Sequence, residues 1–282
     1  MKDQQVLIQY FNPCNVRLVL KIQLLYITLT SKHSYMKRLI LFSLLLISGN
    51  LLAQDLEGAW MLTHVNGQEL PDKEFVKIYQ DGYFSFGAKE VPSNKFHSAG
   101  GGEYTLDGSR YTETFDFHTE NKDLIGQTGE HQVDWIEEKL VITAQDQGRE
   151  RIEIWQKISD DSDDLTRNWV FTGRKNQEGE ISSYTPGPRR TVKILSGGRF
   201  QWIAFNSDTK EFMGTGGGTY TAEDGKYVEN IEFFSRDDDR VGARLSFDYA
   251  VEDGKWHHSG KSSKGDPIYE IWSPYEEAYQ KP

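Results

Sequence analysis

Hydrophobic and polar positions alternate in short bursts along most of this chain. From residue 55 onward, runs rich in Val, Ile, Tyr, Phe, Trp and Thr are broken every few residues by Gly, Asp or Asn. Long windows with apolar residues spaced by three and four, the mark of an amphipathic helix, are missing, whereas period-two alternation is common. The pattern predicts strands over 58–64, 74–79, 83–88, 98–105, 110–118, 127–134, 139–144 and 151–157. A second set follows over 168–173, 190–195, 199–205, 212–221, 226–235, 241–250, 254–260 and 267–272. Between neighbouring strands stand turn sequences such as Gln80-Asp81-Gly82, Leu106-Asp107-Gly108, Ser196-Gly197-Gly198, Glu223-Asp224-Gly225 and Glu252-Asp253-Gly254. Asp and Gly tolerate the positive φ of tight hairpins, so consecutive strands are expected to run antiparallel.

The two sets are copies of one another. A shift of 116 places Gly100 to Gly102 on Gly216 to Gly218, Tyr104 on Tyr220, Tyr111 on Tyr227, Glu113 on Glu229 and Phe117 on Phe233. The chain is therefore a tandem duplication. Eight antiparallel strands per copy can close on themselves, which removes both sheet edges. The predicted fold is all-β: two tandem eight-stranded up-and-down barrels, repeat 1 over 55–158 and repeat 2 over 165–273. An acidic linker over 159–164 joins them, and the tail 274–282 is expected to be peripheral.

The N-terminus changes the picture of where this chain works. Met36-Lys37-Arg38, the apolar run 39–47 and a cleavage region ending at Ala53-Gln54 have the form of a secretory signal peptide over 36–53. Leu51 departs from the small residue usual two positions before the cut. Residues 1–35 read as an unstructured upstream start-site artefact. A membrane anchor over 16–29 is opposed by Arg17 and Lys21 and by a length below the roughly 20 residues that a spanning helix needs. The mature chain is thus expected to be secreted or periplasmic, with no stable membrane insertion. Its only cysteine, Cys14, lies in the leader, so the mature protein has no thiol or disulfide. Cleavage leaves 26 basic against 42 acidic residues. That balance argues against nucleic acid and anionic membrane surfaces as partners, since both reward a basic face.

Gly58-Ala59-Trp60 resembles the Gly-x-Trp signature on the opening strand of lipocalins, whose tryptophan closes the barrel floor. Repeat 2 keeps Trp169 but has Arg167 in place of the glycine. The segment from Arg199-Phe-Gln-Trp202 through Gly214-Thr-Gly-Gly-Gly218 and Tyr227-x-Glu229 to Ile268-Tyr-Glu-Ile-Trp272 is similar to secreted bacterial lipocalin-like domains of unknown function. This resemblance covers repeat 2 nearly end to end and repeat 1 more loosely. It implies a calycin-type barrel in each repeat and carries over no catalytic residue and no cofactor.

Strand alternation selects the candidate site residues. On 226–235 the face with Tyr227, Glu229, Ile231 and Phe233 is the more apolar; its counterpart is Tyr111, Glu113, Phe115 and Phe117. Both are assigned to the barrel interior, which encloses one carboxylate per repeat. The same reasoning directs Phe200, Trp202 and Ala204, and Trp256 with His258, inward. Repeat 1 has Leu140 and Ile142 where repeat 2 has Trp256 and His258, so repeat 2 is the expected binder. Glu113 and Glu229 are open to two roles. They could anchor a ligand or act as a base, or they could form structural pairs with Tyr111 and Tyr227 or an interior Arg such as Arg190.

Other motifs carry little chemistry. Adjacent His257 and His258 point to opposite faces of a strand and cannot share a metal ion. Gly214–Gly218 enters a strand, not a helix, so it is a bulge, a bend or room for a neighbour such as Trp202 instead of a phosphate loop. Arg236–Arg240 and Ser159–Asp164 lack the spacing of a calcium loop and read as solvated. Trp155 and Trp272 recur in both copies and are expected at a barrel end. The leading expectation is non-catalytic binding of a small hydrophobic or amphipathic molecule, or a glycan, at Trp202, Tyr227, Glu229, Trp256 and His258, with Tyr111 and Glu113 as counterparts. The alternatives are an interaction module with filled barrels, and an enzyme using Glu229 and His258.

Overall fold

The computed structural model describes residues 55–281 except 147, 177 and 263–264. The leader expected over 36–53, its cleavage site and the segment 1–35 lie outside the described residues.

Repeat 1 contains β1 (Gly58–Val65), β2 (Gln68–Glu69), β3 (Lys73–Gln80), β4 (Tyr83–Glu90), β5 (Phe96–Asp107), β6 (Arg110–His118), β7 (Thr128–Ile136), β8 (Lys139–Asp146) and β9 (Arg149–Ser159). Repeat 2 contains β10 (Arg167–Lys175), β11 (Ile181–Ser183), β12 (Arg189–Ser196), β13 (Arg199–Asn206), β14 (Glu211–Glu223), β15 (Lys226–Phe234), β16 (Arg244–Glu252), β17 (Lys255–Lys261) and β18 (Pro267–Pro274). Each repeat is an antiparallel meander closed by its first and last strands, β1 with β9 and β10 with β18. Eight strands form each barrel, and the short β2 and β11 hang from the first strand as additions. This is the all-β tandem-barrel architecture that the periodicity predicts, and it is consistent with a calycin-type fold. Every predicted strand overlaps an observed one. The expected 241–250 starts later, at Arg244, because Asp238–Arg240 forms a 3-10 turn. Asp81 and Gly82, Asp224 and Gly225, and Asp253 and Gly254 all take positive φ, as two-residue hairpins of the primed type require.

One tryptophan on the opening strand of each barrel is held in the same manner. Trp60 Nε1 donates to the Leu56 carbonyl at 2.8 Å and Trp169 Nε1 to the Leu165 carbonyl at 2.9 Å, and both rings are fully buried. The loss of glycine at Arg167 leaves this arrangement intact; the guanidinium lies 5.7 Å from the Trp169 ring.

The inward assignment of Phe117 and Phe233 is corrected by a bulge. Gly101 pairs with Phe117 and Gly102 with Phe115, so Asp116 is an extra residue; Gly217 and Gly218 pair with Phe233 and Ile231, leaving Glu232 extra. An inserted residue reverses the alternation beyond it. Phe117 and Phe233 therefore turn outward, and His118 and Phe234 turn inward. The glycine triplets make the bulge possible, because a Cβ on Gly102 or Gly218 would overlap the carbonyl of Thr114 or Asn230 across the ladder.

The outward phenylalanines meet the other barrel. Phe117 stacks on Phe205 at 5.4 Å, and Phe233 lies over Gly87 and 6.3 Å from Phe96. Around them Ile78, Ala99, Val192, Ile194 and Ile203 form one buried apolar cluster shared by both repeats. The cluster includes a buried ion pair, Arg190 to Asp116 at 2.5 Å, also bonded by the hydroxyls of Tyr83 and Tyr275 at 3.2 Å each. Burial opposes the Arg190 charge, and the Asp116 carboxylate more than compensates, so its pKa lies above the ordinary value. Arg190 is accordingly an interface residue and not a partner of Glu229. The tail is likewise not peripheral: Tyr275 and Tyr279 are buried, and the Arg190 guanidinium sits 4.0 Å from the Tyr279 ring. Among the described residues, no helix is long and apolar enough to cross a membrane.

Candidate ligand-binding site

Both barrel interiors are built on a lysine–glutamate pair. Lys77 Nζ donates to Glu113 Oε1 at 2.6 Å, and Lys193 Nζ to Glu229 Oε1 at 2.9 Å. The lysines lie at one repeat offset on β3 and β12, each between apolar neighbours, Val76 and Ile78 or Val192 and Ile194. Each ammonium also lies near the tryptophan of its own last strand, 5.0 Å from Trp155 and 5.2 Å from Trp272. Those tryptophans thus cover the inner lysine, and their indole N–H groups donate to Glu153 and Glu270 respectively. Lys77 and Lys193 are the residues that the sequence-based reasoning missed. The signal was present: a buried carboxylate requires a partner, and a lysine recurs at the matching offset.

In repeat 1 the pair belongs to a closed network. The Tyr111 hydroxyl donates to Glu113 at 2.5 Å and lies 3.1 Å from the Tyr79 hydroxyl. Burial opposes the Glu113 charge, but Lys77 attracts and hydrogen-bonds the carboxylate, which brings its pKa below the usual value. Burial pushes the Tyr79 phenol up to about 12. Tyr79, Tyr104, Phe84 and Phe115 fill the space around these groups with ring contacts at 5.0 to 6.3 Å.

Repeat 2 differs at the positions that matter. Leu195 replaces Tyr79, Ile231 replaces Phe115 and His258 replaces Ile142. A cavity of about 280 Å³ lies inside the barrel, lined by Ile231 where repeat 1 has Phe115. Trp202, Ile231, Phe234, Leu245 and Phe247 form its apolar wall, and Lys193, Glu229, His258 and Glu270 its polar part. Trp202 and Phe234 pack at 5.6 Å; Phe234 enters only because of the bulge.

His258 and Glu229 both face the cavity but have different partners. His258 Nδ1 is 3.3 Å from Glu270 Oε2. Burial holds the imidazole below its usual pKa despite that carboxylate, so it is neutral near pH 7. Burial also opposes the Glu270 charge, and the bond from His258 outweighs it, leaving Glu270 below its usual pKa. The Nδ1 hydrogen goes to Glu270, which leaves Nε2 as a bare acceptor. Nε2 is buried with no partner in the structure. Tyr227 and Trp256 are fully buried beneath the cavity, with ring centroids 5.1 Å apart, and are not part of its lining. Burial, and next the Glu229 charge, raise the Tyr227 pKa well above its ordinary value.

The loop expected to be merely solvated is part of this site. Arg236 and Arg240 line the cavity, while Asp238 reaches across to accept from the Phe96 amide at 3.1 Å. Outside the inner chamber lies a mouth of about 610 Å³, which shares Thr191, Arg236, Glu270 and Trp272 with it and adds Arg174, Arg189 and Tyr184. Among the described residues, no group of three or more His, Cys, Asp and Glu could hold a metal ion. Compared with known protein families and with curated proteins, the chain has no significant match.

Proposed function

We propose that repeat 2 binds a small amphipathic molecule inside its barrel without transforming it, and that repeat 1 is its rigid support. The supporting observation is the chamber of about 280 Å³, apolar on most sides with a few convergent polar groups, the usual composition of a small-molecule site. In repeat 1 Tyr79, Phe84 and Phe115 pack around the Lys77–Glu113 pair, which favours a structural role for that barrel. Glu229 is paired with Lys193 and His258 with Glu270, which favours binding over an acid–base relay between the two. With the leader expected over 36–53, such a protein would act after export, in the periplasm or outside the cell.

The test is native mass spectrometry of residues 54–282 after exposure to an extract of the host. A mass adduct on the parent is expected, and it is expected to disappear in Ile231→Phe, which puts the bulkier residue of repeat 1 into the chamber lining. Should the parent carry no adduct while folded, the interaction-module alternative takes over. An adduct that persists in Ile231→Phe would place the ligand elsewhere.

A further inference from the structure

We propose that the ligand of repeat 2 is an amphiphilic anion, its acid group held at the barrel mouth by Arg174, Arg189 and Arg236. This inference rests on the binding role proposed above and specifies the chemical class.

The charges around the two cavities, which share four lining residues, do not balance. The acids are accounted for internally: Glu229 by Lys193, and Glu270 by His258 and the Trp272 indole. Among the cations, Arg190 is spent on Asp116 in the barrel interface. Arg174 and Arg189 line the mouth, are exposed, and make no ion pair among the described residues. Arg236 lines both chambers, and its Nε and one terminal nitrogen donate to the Met213 carbonyl. That contact fixes the guanidinium plane and leaves other N–H groups to donate. Composition does not explain this concentration of arginine, since the whole chain carries a formal charge of −11. Arginine is the residue best suited to a carboxylate, sulfonate or phosphate, through its fork of donors.

A second, independent observation places the rest of the molecule. His258 is 2 % exposed, lines the inner chamber, and has Nε2 without a partner. A buried polar atom without a partner costs free energy unless something binds it. The inner wall of Trp202, Phe234 and Leu245 suits an apolar body. The geometry thus orders a ligand with its anion outside, its apolar part against the wall and its far end toward His258.

The experiment compares octanoate with 1-octanol, equal in chain and different in charge, by calorimetric titration of the two-repeat chain at pH 8. Octanoate is expected to bind at least about tenfold tighter, and to weaken as salt is raised, because the mouth is open to solvent. In the Arg174→Gln, Arg189→Gln double variant, whose arginines line the outer cavity and not the inner one, octanoate is expected to fall toward the affinity of octanol, with octanol unchanged. The arginines are solvent-facing, so circular dichroism should show an unaltered fold. Equal binding of the two probes to the parent would overturn the anionic class while leaving the cavity role standing. Preferential octanoate binding that survives the double variant would overturn the arginine assignment. Binding of neither probe would remove the cavity role and this inference together.

Discussion

A lysine beneath a tryptophan, bonded to a glutamate inside a barrel, is costly to disturb. Lys193 and Glu229 have side-chain exposures of 6 % each, so neither ion can regain water if the other is lost. Removing one partner of such a pair costs about 3–5 kcal/mol, whereas replacing both by apolar groups is often neutral. Lys193→Met is therefore expected to lower the stability measured by urea unfolding by about 3–5 kcal/mol, and Lys193→Met with Glu229→Leu to recover most of it. His258 makes a separate prediction. Its neighbours are Glu270, Lys193 and Glu229, and burial keeps its pKa below the ordinary 6.5. Between that ordinary value and the lower folded one, the unfolded chain binds the proton and the folded chain does not, so stability falls as the pH is lowered through this window. Half-buried His118 acts in the same direction. Glu113 and Glu270, with folded pKa values below 4.5, add a contribution that is present above 4.5 and lost as the pH falls further. Denaturation midpoints should be flat between pH 7 and about 9, below the range where the buried tyrosines titrate in the unfolded chain, and decline toward pH 5. His258→Ile, the residue of repeat 1, should reduce that decline without abolishing it. An unchanged slope in the variant would show that His258 is not held neutral.

At the scale of the strand, the glycine triplet decides which side chains reach the cavity. Strand positions and hairpins were legible from period-two patterning and Asp-Gly turns, because these are local; the duplication was legible from the repeated residues, and closure from the count of eight strands per copy. Trp202, Glu229 and His258 could be directed inward for the same reason. Phe234 could not: a single inserted residue at Glu232 reverses the alternation, and only the pairing of β14 with β15 reveals it. Lys193 was hidden for a different reason, since lysine is usually solvent-facing and only its partner on another strand justifies burial. The bulge can be tested directly. A Cβ at Gly218 would collide with the Asn230 carbonyl, and no flexible side chain can yield there. Gly218→Ala is expected to destabilise by about 1–3 kcal/mol in chemical denaturation. Gly187→Ala, where a Cβ has nothing within 4 Å, should change stability by less than about 0.5 kcal/mol. Equal effects at the two sites would mean that the bulge does not depend on the missing side chain.

At the scale of the molecule, the two repeats meet through equivalent strands, a feature no local pattern discloses. Ile78 on β3 and Ile194 on β12 occupy one cluster, and the Ser196 hydroxyl donates to Gln80 at 2.7 Å, although 80 and 196 are the same repeat position. Phe117 and Phe233, also equivalent, each cross to the other barrel. The contact is therefore close to two-fold symmetric, as in an isologous dimer. Its charges break the symmetry. Asp116 faces Arg190, but the repeat-1 counterpart of Arg190 is Glu74, and the repeat-2 counterpart of Asp116 is Glu232. Two copies of repeat 1 would set Glu74 against Asp116, like charge on like. Two copies of repeat 2 would set Arg190 against Glu232, opposite charges, and would retain Tyr275 and Tyr279 beside the arginine. Unfavourable juxtapositions of this kind govern which partners a shared surface accepts. Each barrel closes its own hydrogen-bond ladder, so residues 55–164 and 165–282 should fold as separate chains. By sedimentation velocity at micromolar concentration, 165–282 is expected to be dimeric, 55–164 monomeric, and their mixture a one-to-one complex. Arg190→Glu should abolish the dimer of 165–282, since it would restore the like-charge contact that keeps repeat 1 apart. A monomeric 165–282 would show that the apolar face alone, without the pairing of Asp116 and Arg190, cannot hold two barrels together.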